Sequence, residues 1–174
     1  AKEQNYQYVL IDTGWYGPEW DYRCDPRLDP SALNDGSEVS ELLKQYIIGD
    51  GHFKHLGFPM YGKLEESGTM VVDLDIPKVC EYAKEQGVGI ILYVEDRALF
   101  DTLGRFSVDE LFERFESWGV SGVKPGFVQY QTQEHQRRLE DMIASAAEHH
   151  LVMTIHDEYV PTGIERTYPN CLTT

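Results

Sequence analysis

The chain has 174 residues, of which 41% are hydrophobic, and a formal net charge of -15 at pH 7. A chain of this length and apolar content can bury a sizeable core, and we interpret it as belonging to one domain. The negative charge repels phosphate backbones and anionic surfaces, and no apolar run approaches the roughly 18 residues of a membrane helix, so neither nucleic acid nor a membrane is an expected partner.

The chain opens with an apolar strand, residues 8–11. After it, residues 16–75 lose a regular pattern, apart from a helical stretch at 38–46 and a tract rich in glycine. We interpret 16–75 as a long loop or insert. In α/β folds such an excursion lies over the strand ends, where loops carry function.

From residue 76 onward, helical and apolar strand patterns alternate. Gly87 and Gly119 each end a helical stretch, and Ser107 with Glu110 three residues later predicts a capping box. The predicted elements are a helix at 76–86, a strand at 88–94, a helix at 107–118, a strand at 120–124, a helix at about 132–149 and a strand at 151–155.

The later strands begin near residues 88, 120 and 151. This spacing of roughly 30 residues is that of a βαβ unit, which predicts parallel strands joined by crossover helices. With the first strand, about four parallel strands are expected. They suit either a small open α/β sheet or half of an eight-stranded barrel.

Polar residues stand at the end of each predicted strand. Carboxyl ends of parallel strands meet at one edge, so these side chains should share one crevice. Paired carboxylates suit glycoside hydrolysis and also a hard cation such as calcium; the alternative is that each acid caps the following helix. The strand-end residues are Asp12, Glu95, Asp96, Lys124, His156, Asp157 and Glu158.

Aromatic side chains follow the first strand directly, at Trp15, Tyr16 and Trp20. Aromatic faces bind the apolar faces of sugar rings, although loop aromatics also simply pack. Trp15 is therefore a candidate sugar contact. His156 is a candidate for a sugar hydroxyl, with a structural histidine as the alternative. Cys80 lies in an apolar helical stretch and is expected to be buried and inert.

Four segments resemble glycoside hydrolase family 97, whose members are α-glucosidases and α-galactosidases of bacterial glycan-using systems. The segments are YVLIDTGWY (8–16), EYAKEQGVGI (81–90), WGVSGVK (118–124) and PTGIERTYPN (161–170). The resemblance implies that residues 1–174 are part of a single catalytic barrel, without the β-sandwich domains that flank it in the family. The expected fold class is thus α/β, a partial (β/α)8 TIM barrel of about four parallel strands with crossover helices.

The resemblance also implies a mechanism. Retaining members carry an aspartate nucleophile at the place of Gly126, and inverting members do not. Glu95 matches the general base of the inverting branch. Asp157 matches a glutamate that serves as a second base and a calcium ligand, with Glu158 beside it as the alternative ligand. Lys124, His156 and Asp12 match positions that hold the sugar.

We therefore expect an exo-acting α-glycosidase that cleaves α-linked glucosides or galactosides with inversion. An inverting enzyme needs carboxyls roughly 6.5–9.5 Å apart, and the missing side chain at Gly126 should leave room for the water. The substrate would be an α-glycoside oligosaccharide. As family members usually are, the protein should be periplasmic or exported from a bacterium.

Three alternatives stay open. One is a retaining α-galactosidase relative with a displaced nucleophile. Another is a catalytically inactive barrel fragment, because the family's general acid and remaining calcium ligands match nothing in this chain. Such a fragment would bind sugar weakly or self-associate through its exposed edges. A third is a metal-dependent hydrolase on a similar barrel.

Overall fold

The computed structural model describes residues 1–17, 23–47, 62–101, 103–156 and 162–172. Short 3-10 helices span Lys2–Gln4, Pro30–Asp35 and Ile164–Arg166. By its contacts, the chain divides into two compact units, residues 1–11 with 80–174, and residues 12–79. The strands and α-helices, in chain order, are β1 (Tyr8–Ile11), α1 (Glu38–Ile47), β2 (Gly62–Leu64), β3 (Met70–Val72), α2 (Ile76–Glu85), β4 (Gly89–Glu95), α3 (Asp96–Leu99), α4 (Val108–Trp118), β5 (Gly122–Gly126), α5 (Gln133–Glu148), β6 (Val152–Thr154) and β7 (Cys171–Leu172).

The unit formed by residues 1–11 and 80–174 is built on a parallel sheet with the strand order β1-β4-β5-β6-β7. Each neighbouring pair is parallel, and the spatial order follows the chain order, as it does in a barrel. The predicted α/β fold with parallel strands is confirmed. The described sheet has five strands rather than about four, because the two-residue strand β7 pairs with β6.

Strand β4 lies between β1 and β5 and is buried from Ile90 to Glu95. Strands of a parallel sheet are covered on both faces, which explains why this stretch is apolar at almost every position. Helix α5 packs against α4 and β6. The two helices bury Leu111, Phe112, Phe115, Leu139, Met142, Ile143 and Ala146.

The predicted helix boundaries of this unit are confirmed by their caps. Ser107 Oγ accepts a hydrogen bond from the backbone N–H of Glu110 at 3.1 Å, and Glu110 Oε2 accepts one from the backbone N–H of Ser107 at 2.7 Å. Gly119 ends α4 with a φ of 78°. Thr132 caps α5 through the backbone N–H of His135. The glycine that ends α4 lies shortly before β5, which begins at Gly122.

The unit of residues 12–79 contains α1, as predicted, and an antiparallel hairpin of β2 and β3 that the sequence did not reveal. Asn34 ties this hairpin to the 3-10 helix at Pro30–Asp35. Its Nδ2 donates to the carbonyl of Val72, and its Oδ1 accepts from the backbone N–H of Val72, both at 3.1 Å.

Cys80 is buried, as expected, and burial raises the pKa of its thiol to about 11. A thiol with so high a pKa is a poor nucleophile at neutral pH. Within the described ranges, no helix is both long enough and apolar enough to cross a membrane.

Candidate active site

The carboxyl ends of β4 and β5 place four positions on one face of the sheet. In the parallel register Tyr93 pairs with Lys124, and Glu95 pairs with Gly126. Side chains alternate along a strand, so Tyr93 and Glu95 share a face, and their partners on β5 face the same way. Ligands of parallel α/β folds bind at this edge. Glu95 and Lys124, both predicted site residues, are therefore neighbours here.

Glu95 is buried, with 6% of its side chain exposed. Its Oε2 accepts a hydrogen bond from the backbone N–H of Arg97 at 2.9 Å, and its Oε1 accepts one from Arg97 Nε at 3.0 Å. Glu95 is thus the N-cap of α3, which is the role weighed as the alternative to catalysis. The two contacts with Arg97, which the sequence did not reveal, fix the orientation of the carboxylate.

The space beside Gly126 is filled by Tyr93. A Cβ atom built on Gly126 would lie 2.2 Å from Tyr93 Oη and 2.3 Å from the ring carbon Cε2. The expectation that Gly126 leaves room for a water molecule is therefore wrong, because the phenol occupies that room. The sequence pattern did not single out Tyr93. Its signal was its place two residues before Glu95 in a strand, hence on the same face.

Lys124 is half-buried, and its Nζ lies 5.6 Å from the centroid of the Tyr93 ring. His156 follows β6 and is exposed, and its backbone N–H donates to the carbonyl of Pro125 at 3.0 Å. The His156 ring meets Phe127 edge-on at 6.4 Å between centroids. Phe127, a second residue that the sequence did not single out, is 60% exposed and has a φ of 57°.

Asp96, the other acid at the end of β4, interacts with helix α5. Its Oδ1 lies 3.6 Å from Arg138 Nη2, and the Arg138 guanidinium stacks on Phe100 at 3.9 Å from the ring centroid. Burial raises the pKa of the Asp96 carboxyl above its ordinary value, and the nearby Arg138 charge opposes that effect. Asp96 therefore carries a structural ion pair at this end of the sheet.

Two predicted sugar contacts belong to the unit of residues 12–79. Asp12 is exposed, and its Oδ1 accepts a hydrogen bond from the backbone N–H of Thr13 at 2.8 Å. Trp15 is fully buried and meets Tyr16 edge-on at 5.0 Å between ring centroids. This burial agrees with the alternative role of a loop aromatic, which is to pack in the core. A sugar contact by Asp12 or Trp15 stays a prediction.

Asp157, the predicted base and calcium ligand, and its neighbour Glu158 lie outside the described residues. Within the described ranges, no three His, Cys, Asp or Glu side chains cluster as a metal site requires.

Residues 46–174 match the sequence profile of a family described as Glycoside hydrolase 97. A probable retaining α-galactosidase of Streptomyces bingchenggensis is 35% identical over 173 residues, which is 99% of this chain and 20% of that protein. A retaining α-galactosidase of Bacteroides thetaiotaomicron is 27% identical over 94% of this chain and 25% of its own length. The chain thus spans a quarter or less of the curated relatives it matches.

Solved structures show the same fold. A glycoside hydrolase family 97 enzyme from Pseudoalteromonas sp. strain K8 in complex with acarbose has a TM-score of 0.55 and 18% identity, over 97% of this chain and 23% of that one. A β-arabinopyranosidase has a TM-score of 0.52 and 21% identity, over 97% of this chain and 20% of that one. Since the family profile covers most of the sequence, the chain belongs to glycoside hydrolase family 97.

Proposed function

We propose that the protein containing this chain is an exo-acting glycoside hydrolase of α-linked galactosides or glucosides, with α-galactosides as the preferred substrates. The observation that carries the proposal is a carboxylate, Glu95, beside an ammonium group, Lys124, at the carboxyl edge of the sheet in a family 97 chain. A carboxylate at this edge can accept or donate a proton, and an ammonium group can donate hydrogen bonds to sugar hydroxyls. Two relatives named as α-galactosidases support the choice of sugar.

The stereochemical course is a separate part of the proposal. Position 126 is a glycine, which cannot form a glycosyl ester, and this supports inversion by a water molecule that Glu95 and Asp157 activate. Because Tyr93 fills the space over Gly126, that water would have to bind elsewhere at the strand ends. Retention through a displaced nucleophile is the second candidate, and the names of both relatives favour it.

The test uses the full-length protein with 4-nitrophenyl α-D-galactopyranoside and the matching α-glucoside. In proton NMR, the first product should be the β-anomer if the enzyme inverts. It should be the α-anomer if the enzyme retains. A fluorosugar that traps a glycosyl-enzyme would support retention further. Folded protein that hydrolyses neither substrate would refute the hydrolase proposal.

Glu95→Gln in the same protein should lower kcat by roughly 10²- to 10⁴-fold, the usual contribution of a general acid or base. The helix cap should remain in this variant, because a glutamine oxygen can still accept a hydrogen bond from the Arg97 backbone N–H. A decrease in kcat of less than about tenfold would show that Glu95 is not a catalytic acid or base and serves only as the helix cap.

Calcium binding is also a proposal, with Asp157, or Glu158 beside it, as a ligand from this chain. Oxygen ligands of that type suit calcium. Activity of the full-length protein should fall on treatment with a chelator and return with calcium but not with magnesium.

Export to the periplasm or beyond is proposed from the family alone. The isolated chain of 174 residues is proposed to be inactive by itself.

A further inference from the structure

We propose that Tyr93 is a positioning residue of the sugar site, whose ring holds the Lys124 ammonium in place and whose phenol requires a glycine at position 126. The inference rests on the proposed function, in which Lys124 contacts the sugar. Tyr93 is the one aromatic residue of β4, whose sequence is GIILYVE.

Position 126 is a glycine because of its neighbour and not because of its backbone conformation. Gly126 is buried and is not among the glycines with a positive φ, so its backbone conformation does not require the residue. What requires it is the close approach of Tyr93, whose Oη, Cζ and Cε2 all lie within 2.4 Å of the point that a Cβ would occupy. Glycine is the residue that permits such an approach. Tyr93 and Gly126 are therefore a matched pair.

The ring of Tyr93 also contacts Lys124. A lysine side chain is a flexible four-carbon stem, so an ammonium group that must meet one hydroxyl needs contacts that limit its freedom. Tyr93 pairs with Lys124 across the two strands, and the Nζ lies 5.6 Å from the ring centroid, within the range of a cation–π interaction. Tyr93 is only 4% exposed, so the packing around it restricts the motion of its ring. The ring, rather than the hydroxyl, makes this contact.

The test is a double-mutant cycle in the full-length protein with 4-nitrophenyl α-D-galactopyranoside, using Tyr93→Leu, Lys124→Met and the double variant. Tyr93→Leu should raise KM by roughly 10-fold with a smaller change in kcat, as expected for a cation–π contact of this kind. In the Lys124→Met background the same change should raise KM by less than about 2-fold. Additive effects in the two backgrounds would refute the inference.

Two further variants separate this role from a general loss of packing. Tyr93→Phe keeps the ring, so its KM should stay close to the wild-type value. Tyr82→Leu changes a tyrosine that is 64% exposed on α2 and should leave both constants unchanged. If Tyr93→Leu does not fold, Tyr93→Met replaces it, since methionine fills irregular space well. An increase in KM for Tyr93→Phe as large as that for Tyr93→Leu would also refute the inference.

A second readout does not depend on activity. Reductive methylation with carbon-13 keeps the lysine charge, and the methyl signal of Lys124 should be shifted upfield by the ring current of residue 93. The shift should persist in Tyr93→Phe and vanish in Tyr93→Leu. An enzyme without turnover but with this shift would refute the proposed function alone. Turnover with a Lys124 signal that ignores residue 93 would refute the positioning role alone.

Discussion

At the scale of single residues, the contact between Tyr93 and Gly126 makes a prediction about stability. The Cβ of an alanine at 126 would fall 2.2 Å from Tyr93 Oη, and overpacking of this kind typically costs about 1–3 kcal/mol. We expect Gly126→Ala to lower the free energy of unfolding by that amount in urea denaturation. In a Tyr93→Leu background the cost should shrink, because the phenol is gone. An equal cost in both backgrounds would contradict the contact.

Phe127 makes a second prediction, because its φ of 57° lies in the left-handed region. That conformation costs a residue with a Cβ roughly 1–2 kcal/mol, which glycine does not pay. Since Phe127 is 60% exposed, Phe127→Gly should lose little burial and raise the free energy of unfolding by about 0.5–1 kcal/mol. Asn5 has the same φ, but asparagine tolerates it, so Asn5→Gly is the matched control with a smaller expected gain. A destabilised Phe127→Gly would show that contacts of the ring outweigh the strain.

The site residues differ in how far the sequence revealed them. Glu95 and Lys124 could be predicted because strand ends of a parallel sheet share one edge, and the register brings them together. For Tyr93 the spacing from Glu95 was a signal, but it did not distinguish a site residue from a core residue, because an aromatic residue within an apolar run is equally compatible with a core position. The occupied space over Gly126 depends on the rotamer of Tyr93, which no spacing of residues specifies.

At the scale of elements, the ends of α4 and α5 are joined by charged contacts. His149 Nδ1 lies 3.1 Å from Glu116 Oε2 and His149 Nε2 lies 3.2 Å from Asp109 Oδ1, while His150 Nδ1 lies 2.8 Å from Glu116 Oε1. Burial alone would lower the pKa of His149, but the hydrogen bonds with the two acids raise it above 6.5. A hydrogen bond from Ser145 Oγ, and then the one with His149, lower the pKa of Asp109, and the bonds with His149 and His150 lower the pKa of Glu116.

This cluster predicts a dependence of stability on pH. A raised histidine pKa adds stability that is fully present below the unfolded value of 6.5 and is lost as pH rises through the folded pKa. The lowered pKa values of the acids add stability that is lost on acidification. We expect wild type to gain melting temperature between pH 8 and pH 6 relative to His149→Asn. Parallel pH curves for the two proteins would contradict the linkage.

The elements also differ in how visible they were. Helix α4 could be predicted because Ser107 and Glu110 form a capping box at its start and Gly119 ends it. The β2–β3 hairpin and β7 escaped because strands of three and two residues are too short to display alternation. Their pairing partners, rather than their own side chains, make them strands.

At the scale of the whole molecule, strand β1 is an edge of the parallel sheet. Its residues Tyr8, Val9 and Leu10 are 36%, 41% and 38% exposed, and an exposed apolar edge invites pairing with another chain. We expect the isolated chain of 174 residues to self-associate with rising concentration in size-exclusion chromatography with light scattering. Val9→Lys should weaken the association. Val39→Lys, on a residue that is 48% exposed in α1, is the control and should not.

A single monomeric species for wild type at all concentrations would contradict this expectation. So would an equal effect of the two lysine substitutions, because charge alone would then explain the change.

Strand β1 has one more consequence, for the order in which the molecule assembles. It pairs with β4 although residues 12–88 separate the two strands along the chain. Closing so long a segment is entropically slow compared with the short connections among β4, β5 and β6, so β1 should join last and leave first. Native-state hydrogen exchange should find the β1 amides opening at lower free energy than those linking β4 to β5. The excursion between β1 and β4 would then be free to change in length without delaying the nucleus of the sheet.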